Sequence, residues 1–460
     1  MSRRSNAFTV AVLDLPSWAD YTALPPGTFR EFTLNTPGDV GMQRATLHNW
    51  CGGAFVPDFG VRGAVGYAGG GEHSNWTDSS LTGPGQQGAY VLDCDTRLYS
   101  RKCYPAANHT GVVGTGGGGS PTDDWGAYND DGSPQAKHTY NCMSYMPAAW
   151  GGGASGSLMR VAHTGGVSIS RGPLPGGGAH EPGLAATWRY DLSKAAHTLA
   201  DPSTIKLTGS SVYNYGVAND AQGRPGATIN DASFACIDMT REGWWSTHRG
   251  GSGWGQRMAF TSKAGVITGP QGQAHGFTNY AALHHFADDD IVVSLTDLAV
   301  GGEWVWQVWI WQAGTSNAWV QNTNVTRQTI TDEYSPGLKA YPQIGEQLPR
   351  WSSILGCFVG FDPWYPYGVQ PTTTVRVWKI TPPAAGQRFT GQWQITWELV
   401  QAKAGTESTN FMNMLAGNAA TDAGAANSVY GRFVECPSLR AFVWTRDTSK
   451  PGQLVRLKGM

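Results

Sequence analysis

Short runs of apolar and aromatic residues, each bounded by turn residues, recur along the whole chain. In the first clear example, residues 64–68, 89–93 and 98–103 each predict a strand. Three glycines at 69–71 follow the first of these runs and mark its end. β-branched and aromatic residues favour pleated, buried strands. Helical periodicity is nearly absent, and the best helical candidate is a short piece within residues 192–199. The pattern therefore predicts an all-β protein.

The same arrangement repeats along the chain. Each predicted unit contains a strand–turn–strand hairpin, a loop often opened by Gly-Gly, and a second hairpin. The predicted units begin near residues 53, 138, 233, 280, 356 and 430. The fifth unit (356–361, 374–380 and 393–400) lacks its glycine pair, and the sixth ends one strand short. The strand at 28–34 has no partner of its own, so we expect it to complete the last unit, 428–460, and to leave no open edge.

The order of residues within a unit resembles a kelch repeat. An apolar strand and Gly-Gly are followed by a loop, by Tyr90 in a strand that ends at Asp93, and by an aromatic residue after a turn. Tyr99 stands where that family usually has Trp, and Trp188-Arg189-Tyr190-Asp191 is a second good match. The C-terminal run YGRFVECPSLRAFVWT, residues 430–445, is similar to the last blades of kelch-like proteins of bacteria and tailed phages.

The resemblance covers nearly the whole chain and implies a kelch-like, galactose-oxidase-type β-propeller. We expect a single domain over residues 1–460, with about six four-stranded blades closed by pairing of the N- and C-terminal strands. A seventh blade is the alternative if residues 108–137 hide one, although their Gly, Asp and Pro content argues against it.

Composition narrows the possible partners. Charged residues make up 14% of the chain and glycine 62 of 460 residues, which suits tight turns and strands buried on both faces. A net charge of −2 with no basic cluster predicts no nucleic-acid partner. No apolar run approaches the ~18 residues of a membrane span. Asp14 interrupts the short N-terminal apolar run, which argues against a signal peptide.

The seven cysteines are odd in number and lack the spacing of paired metal ligands. Four of them lie in or beside predicted strands, where a free thiol behaves as a small apolar residue. We interpret the cysteines as reduced core residues, which favours assembly in a reducing cytoplasm.

Several candidate chemical sites fail on inspection of their context. Residues 114–119 satisfy GxGxxG, but loop follows them where a helix would be needed. His284 and His285, with the aspartates at 288–290, look like metal ligands. Adjacent strand residues point to opposite faces, however, and turn aspartates bond their own backbone, so a hairpin turn is the prediction. Asp238 to Trp245 comes nearest to a sialidase-type Asp box and fails on spacing.

The copper site of galactose-oxidase-like enzymes needs an adjacent Tyr-His pair, and this sequence has none. We therefore expect no cofactor, no metal and no catalytic constellation. On this basis the protein is predicted not to be an enzyme.

Long connections, including 104–137 and 402–428, fall mainly at one end of the predicted strands, and loops on a rigid scaffold commonly carry binding. Aromatic residues are frequent there. They can pack their own loops, form a protein interface or stack on sugars. The candidate binding residues are Trp76, Trp125, Tyr128, Tyr213, Tyr215, Trp364, Tyr365 and Tyr367.

Two functions follow from these expectations. The first is a structural or attachment protein, most concretely a tail component of a tailed-phage virion. It would be made in the host cytoplasm and would dock in symmetric copies on other virion proteins through the long-loop face, with a host surface glycan or protein as an alternative further partner. A bacterial cytoplasmic propeller is the alternative origin. The second function is a glycan-binding or glycan-processing propeller, which predicts a carboxylate pair and aromatics at a central pocket.

Overall fold

A computed structural model describes the chain in seventeen segments. The described residues are 18, 24–32, 52–68, 88–105, 139, 141–163, 186–198, 200–207, 229–250, 256–275, 281–300, 303–313, 318–328, 349–362, 374–403, 432–445 and 452–460. Across these segments the fold is all-β, with short 3₁₀ helices at Ala148–Trp150 and Pro437–Leu439 and no α-helix. The helical candidate within 192–199 is wrong, because its described residues form a turn and the two-residue strand Ala196–His197.

Most strands belong to four four-stranded antiparallel sheets and one nine-stranded sheet. We divide the nine-stranded sheet into two groups of four strands and number the resulting six groups, called units, in chain order. Unit 1 contains β2 (Gly52–Val56), β3 (Ala64–Ala68), β4 (Ala89–Asp93) and β5 (Tyr99–Lys102). Unit 2 contains β7 (Met143–Met146), β8 (Ser157–His163), β9 (Ala186–Asp191) and β11 (Thr204–Lys206). Unit 3 contains β12 (Ile229–Asp238), β13 (Gly243–Gly250), β14 (Gln256–Ser262) and β15 (Ile267–His275).

The second half of the chain repeats this order. Unit 4 contains β16 (Ala281–Phe286), β17 (Ile291–Val300), β18 (Glu303–Gln312) and β19 (Val320–Asn322). Unit 5 contains β21 (Arg350–Ser352), β22 (Cys357–Asp362), β23 (Thr374–Thr381) and β24 (Trp393–Ala402). Unit 6 contains β25 (Val434–Cys436), β26 (Ala441–Trp444), β27 (Gly452–Arg456) and β1 (Thr28–Phe32). The short strands β6 (Tyr104–Pro105), β10 (Ala196–His197) and β20 (Val325–Arg327) lie outside the units.

The pairing expected between the two ends of the chain is present. β1 pairs antiparallel with β27, from Thr28 opposite Arg456 to Phe32 opposite Gly452. β1 also pairs in parallel with one end of β24, and β20 pairs in parallel with the other end. These contacts join units 5 and 6 into a nine-stranded sheet. The end strands of its main path, β21 and β25, contact each other, so this sheet is nearly closed and barrel-like.

The hydrophobic core is divided into six clusters, and each cluster lies between two units. The clusters join units 1 and 2, 2 and 3, 3 and 4, 4 and 5, 5 and 6, and 6 and 1. In β3, for example, Val65 and Tyr67 pack towards unit 6, whereas Ala64 and Ala68 pack towards unit 2. All five residues of β3 are buried, because each face of the strand is covered by a neighbouring unit. This two-sided burial accounts for the low charge content of the chain.

The turns between the first and second strands of all six units lie within the described residues. They span 57–63, 147–156, 239–242, 287–290, 353–356 and 437–440, and we call them the first-hairpin turns. Each ends on a residue with positive φ immediately before the second strand: Gly63, Gly156, Glu242, Asp290, Gly356 and Arg440. Because antiparallel strands alternate in direction, the connections from second to third strands and between most units leave from the opposite end of the sheets.

One strand of unit 5 differs from expectation. The sequence predicts three strands beginning at residue 356, but the structure places β21 before them and pairs Ser352 with Cys357. A three-residue strand is too short for alternation to be recognised in the sequence. Unit 5 therefore has four strands like the others.

Candidate functional site

The eight aromatic residues proposed for binding lie outside the described residues. They are Trp76, Trp125, Tyr128, Tyr213, Tyr215, Trp364, Tyr365 and Tyr367. Their role as a binding surface remains a prediction. Within the described residues, the polar chemistry concentrates instead at the first-hairpin turns.

The most densely charged cluster joins the first-hairpin turns of units 3 and 4. Asp238, His285 and Asp290 bring three ligand-type atoms within 4.8 Å of one another. The ring of His285 lies between the two carboxylates, 3.4 Å from an Asp238 oxygen through Nδ1 and 3.3 Å from an Asp290 oxygen through Nε2. Asp238 is fully buried at the end of β12, and Asp290 ends the turn before β17.

Arg241 supplies the positive charge of this cluster. Its Nη1 donates to Asp290 Oδ1 at 2.5 Å and its Nη2 donates to Asp290 Oδ2 at 2.6 Å. Nη1 also lies 3.0 Å from Asp238 Oδ2. These hydrogen bonds lower the pKa of Asp290 and raise that of Arg241. A bidentate guanidinium–carboxylate pair is among the stronger polar contacts in proteins.

The donor set of this cluster does not fit a metal ion. Asp238 Oδ1 accepts the backbone N–H groups of Thr240 and Arg241, and its Oδ2 also accepts the indole N–H of Trp245 at 2.9 Å. Both oxygens of Asp290 are engaged by Arg241. A cation would have to displace the Arg241 guanidinium, which already hydrogen-bonds to both carboxylates. The arrangement fits a structural ion-pair network that clasps units 3 and 4 together.

The two adjacent histidines face opposite neighbours, as their alternation in a strand predicts. His285 faces Asp238 of unit 3, whereas the ring of His284 stacks on Trp351 of unit 5 with centroids 4.4 Å apart. Burial, with repulsion from His285 and Arg388, lowers the pKa of His284 to about 3. His284 is therefore a neutral ring in an aromatic contact between units 4 and 5.

The neighbouring aspartate completes the contact with unit 5. Asp289 Oδ1 accepts the backbone N–H of Gly386 at 2.6 Å, and Asp289 Oδ2 pairs with Arg388. The prediction of a hairpin turn at 287–290 is confirmed, but the side chains of Asp289 and Asp290 bond Arg388 and Arg241 of the neighbouring units. Sequence analysis did not identify Arg241 or Arg388 as their partners.

The remaining junctions carry comparable polar contacts. Glu435 of unit 6 accepts from Ser353 Oγ of unit 5 at 2.8 Å. Asp58 of unit 1 accepts the backbone N–H of Ala148 in unit 2 at 2.7 Å. Trp244 of unit 3 donates its indole N–H to the carbonyl of Tyr145 in unit 2 at 3.2 Å.

The contact between the last and first units is of the same kind. Ser438 Oγ in the first-hairpin turn of unit 6 donates to the Arg62 carbonyl in that of unit 1 at 2.6 Å. With the five contacts above, a polar contact therefore joins each consecutive pair of units, and units 6 and 1 as well. We call these contacts the inter-unit clasps.

Two hydrogen bonds link first-strand regions of units that are not consecutive. Asn141 of unit 2 donates to the Ala281 carbonyl of unit 4 at 3.4 Å, and Arg350 of unit 5 donates to the Gly53 carbonyl of unit 1. Burial lowers the pKa of Arg350 to about 10. The side chains that make these bonds are an amide and a guanidinium.

Comparison with known proteins adds no assignment. No protein-family model matches the sequence, and no curated protein matches it. Within the described part of the chain, no helix is both long and apolar enough to cross a membrane.

Proposed function

We propose that the six units form a six-bladed, kelch-like β-propeller. Support comes from the cyclic order of the hydrophobic clusters, in which every unit packs against its two neighbours and unit 6 packs against unit 1. The pairing of β1 with β27 supports closure through the two ends of the chain. The repeated left-handed residue at each first-hairpin turn supports six equivalent blades.

Our proposal for the function is a non-enzymatic structural or attachment protein. The observation that carries it is the series of inter-unit clasps. Asp238, Asp290 and Glu435 each contact a side chain of a neighbouring unit, His285, Arg241 and Ser353 respectively, rather than forming a reactive constellation. Such a scaffold is stiff at one end of its sheets, while the long connections leave from the other end, where binding residues are usual.

The most concrete form of this proposal is a tail component of a tailed-phage virion. The kelch-like resemblance and the aromatic-rich long connections support it. The partners would be other virion proteins, met in symmetric copies through the long-loop face. We place the protein in the virion, with a bacterial cytoplasmic location as the alternative.

The test compares two sets of substitutions at opposite ends of the sheets. Trp364→Ala, Tyr365→Ala and Tyr367→Ala together remove aromatics of one long connection. Val61→Ser and Val266→Ser are the matched control, because both valines are exposed in turns at the opposite end, at 86% and 50%. Each purified protein is examined by mass photometry, alone and with purified bacterial surface polysaccharide.

A structural virion role predicts a symmetric oligomer for the natural protein and the control, and a monomer for the triple variant, without a response to polysaccharide. A natural protein that stays monomeric and binds only polysaccharide would reject this role. That result would favour the glycan-binding alternative.

A further inference from the structure

Two cysteine side chains meet at the contact between the first and last units. Cys94 follows β4 of unit 1 and Cys436 ends β25 of unit 6, and their sulfur atoms lie 3.1 Å apart. Both side chains are fully buried within the cluster that joins these units. A disulfide bond is about 2.05 Å long, so the sulfurs need to approach by roughly 1 Å to bond.

This pair lies where the two ends of the chain meet through hydrogen bonds and hydrophobic packing. The N-terminal strand β1 pairs with β27 and β24, and Trp18 and Leu24 pack against unit 6, so all of these contacts are non-covalent. Cys436 belongs to the C-terminal strands of unit 6, and Cys94 is 342 residues earlier in the chain. A bond between them would tie the C-terminal strands directly to unit 1.

We propose that Cys94 and Cys436 are a disulfide-forming pair that closes the contact between units 1 and 6 covalently when a small-molecule disulfide is available as oxidant. This inference does not depend on the proposed function. It extends the interpretation of the cysteines as reduced core residues. Cys94 and Cys436 would be thiols in a reducing cytoplasm and would form a disulfide in an oxidising environment.

The reaction is a two-electron thiol–disulfide exchange. One thiolate attacks a sulfur of the small disulfide and releases the first small thiol, which leaves a mixed disulfide on the protein. The second cysteine then attacks the protein sulfur of that mixed disulfide, forms the Cys94–Cys436 bond and releases the second small thiol. The protein loses two hydrogens, and the oxidant gains them as two thiols.

The surroundings of Cys94 and Cys436 determine the rate of the thiol–disulfide exchange. The hydrogen bond with Cys436 and burial raise the pKa of the Cys94 thiol well above its ordinary value, which disfavours the reactive thiolate at neutral pH. The small disulfide must also enter a fully buried contact. Exchange should therefore be slow in the folded protein, faster at higher pH, and complete when the protein refolds in the presence of oxidant.

The decisive experiment refolds the full-length protein from denaturant in a buffer of oxidised and reduced glutathione. Free thiols are then alkylated, and proteolytic peptides are mapped by mass spectrometry without reduction. We expect one dominant cross-linked species, containing Cys94 and Cys436, and an intact mass lower by two hydrogens. Folded protein that is given the same buffer should form this species more slowly.

Stability provides a second readout that does not rely on peptide mapping. Closing so long a loop should raise the guanidinium chloride midpoint of oxidised over reduced protein by roughly 0.5–1 M. Cys94→Ala and Cys436→Ala should abolish this difference. Cys236→Ala is the matched control, because Cys236 is a buried thiol in the contact between units 3 and 4, and it should keep the difference.

The proposal fails if Cys94 and Cys436 are recovered alkylated after refolding. It also fails if they are found in mixed pairs with other cysteines at the frequency seen in denatured protein. Since the natural protein alone decides this result, a cysteine variant that does not fold would leave the test intact.

Discussion

Arg241 in the first-hairpin turn of unit 3 donates hydrogen bonds to both carboxylate oxygens of Asp290 in the corresponding turn of unit 4. The same guanidinium contacts Asp238, which is fully buried. One guanidinium therefore pairs with two carboxylates and links two sheets. The side chains of these turns therefore stabilise the junction between two units as well as the hairpins to which they belong.

Replacing Arg241 should destabilise the protein more than a surface ion pair would suggest. In Arg241→Met the buried Asp238 loses its charged partner, and we expect a loss of roughly 2 kcal/mol in the free energy of unfolding. Lys263→Met is the control, since it removes an ion pair with Glu242 whose side chains are 42% and 47% exposed. The control should lose less than about 1 kcal/mol. Equilibrium denaturation measures both, and equal losses would contradict the structural role of the clasp.

Because of His284, the free energy of unfolding should decrease as the pH falls from 7 to 5, well above the pH at which carboxyl groups titrate. The pKa of His284 is lowered to about 3 from its ordinary 6.5. Between these two pH values the imidazole is protonated in the unfolded chain and neutral in the folded protein. This contribution to stability is fully present above pH 6.5 and is lost as pH falls towards 3. From pH 7 to pH 5 the natural protein should lose roughly 2 kcal/mol through this one group.

The comparison for this pH effect is His284→Phe, which keeps an aromatic ring against Trp351 and removes the titrating group. Its stability at pH 5 should lie close to its stability at pH 7. Asp290 acts in the same direction, because Arg241 lowers its pKa, but its contribution begins to decrease only when the pH reaches the ordinary carboxyl pKa. Parallel pH profiles for natural protein and variant would show that His284 does not control the effect.

The strands could be predicted from the sequence better than the contacts between units. Alternating and apolar runs located most strands, and the unpartnered strand near residue 28 correctly indicated pairing of the two chain ends. The first strand of unit 5, Arg350–Ser352, was missed because three residues carry no measurable periodicity.

Contacts between turns could not be predicted in the same way. Arg241 and Asp290 are 49 residues apart, and no local pattern indicates that their turns adjoin. The left-handed turn endings show the same limit. Glycine marks the position at Gly63, Gly156 and Gly356, whereas Glu242, Asp290 and Arg440 occupy it without any signal. A left-handed residue commonly closes a short hairpin loop, but a non-glycine residue at that position is not distinguished by the sequence.

Substituting the left-handed glycine of unit 5 should reveal the cost of that backbone conformation alone. Gly356 has a φ of +63°, and a Cβ built there would meet nothing within 4 Å. Gly356→Ala should therefore lose about 1–2 kcal/mol from conformational strain without any clash. Gly360→Ala is the matched control in the following strand, since its Cβ would make ordinary contacts at 3.5 Å or more.

Thermal unfolding of the two alanine variants provides the measurement. The control should unfold near the temperature of the natural protein, because Gly360 lacks the positive φ. A Gly356→Ala variant as stable as the control would mean that the turn adopts another conformation than the one described.

The N-terminal strand should determine the stability of the last unit. Phe29 is fully buried against units 5 and 6, so Phe29→Ala should lose about 3–5 kcal/mol. Arg30→Ala, one position along the same strand, is the control, because it leaves this core contact in place and should lose less than about 1 kcal/mol.

Because β1 holds β27 only through hydrogen bonds and packing, hydrogen exchange in Gly452–Arg456 should accelerate in Phe29→Ala while the strands of units 2 and 3 stay protected. Uniform acceleration across all units would instead mean that the protein opens as one cooperative body, in which β1 has no special part in closure.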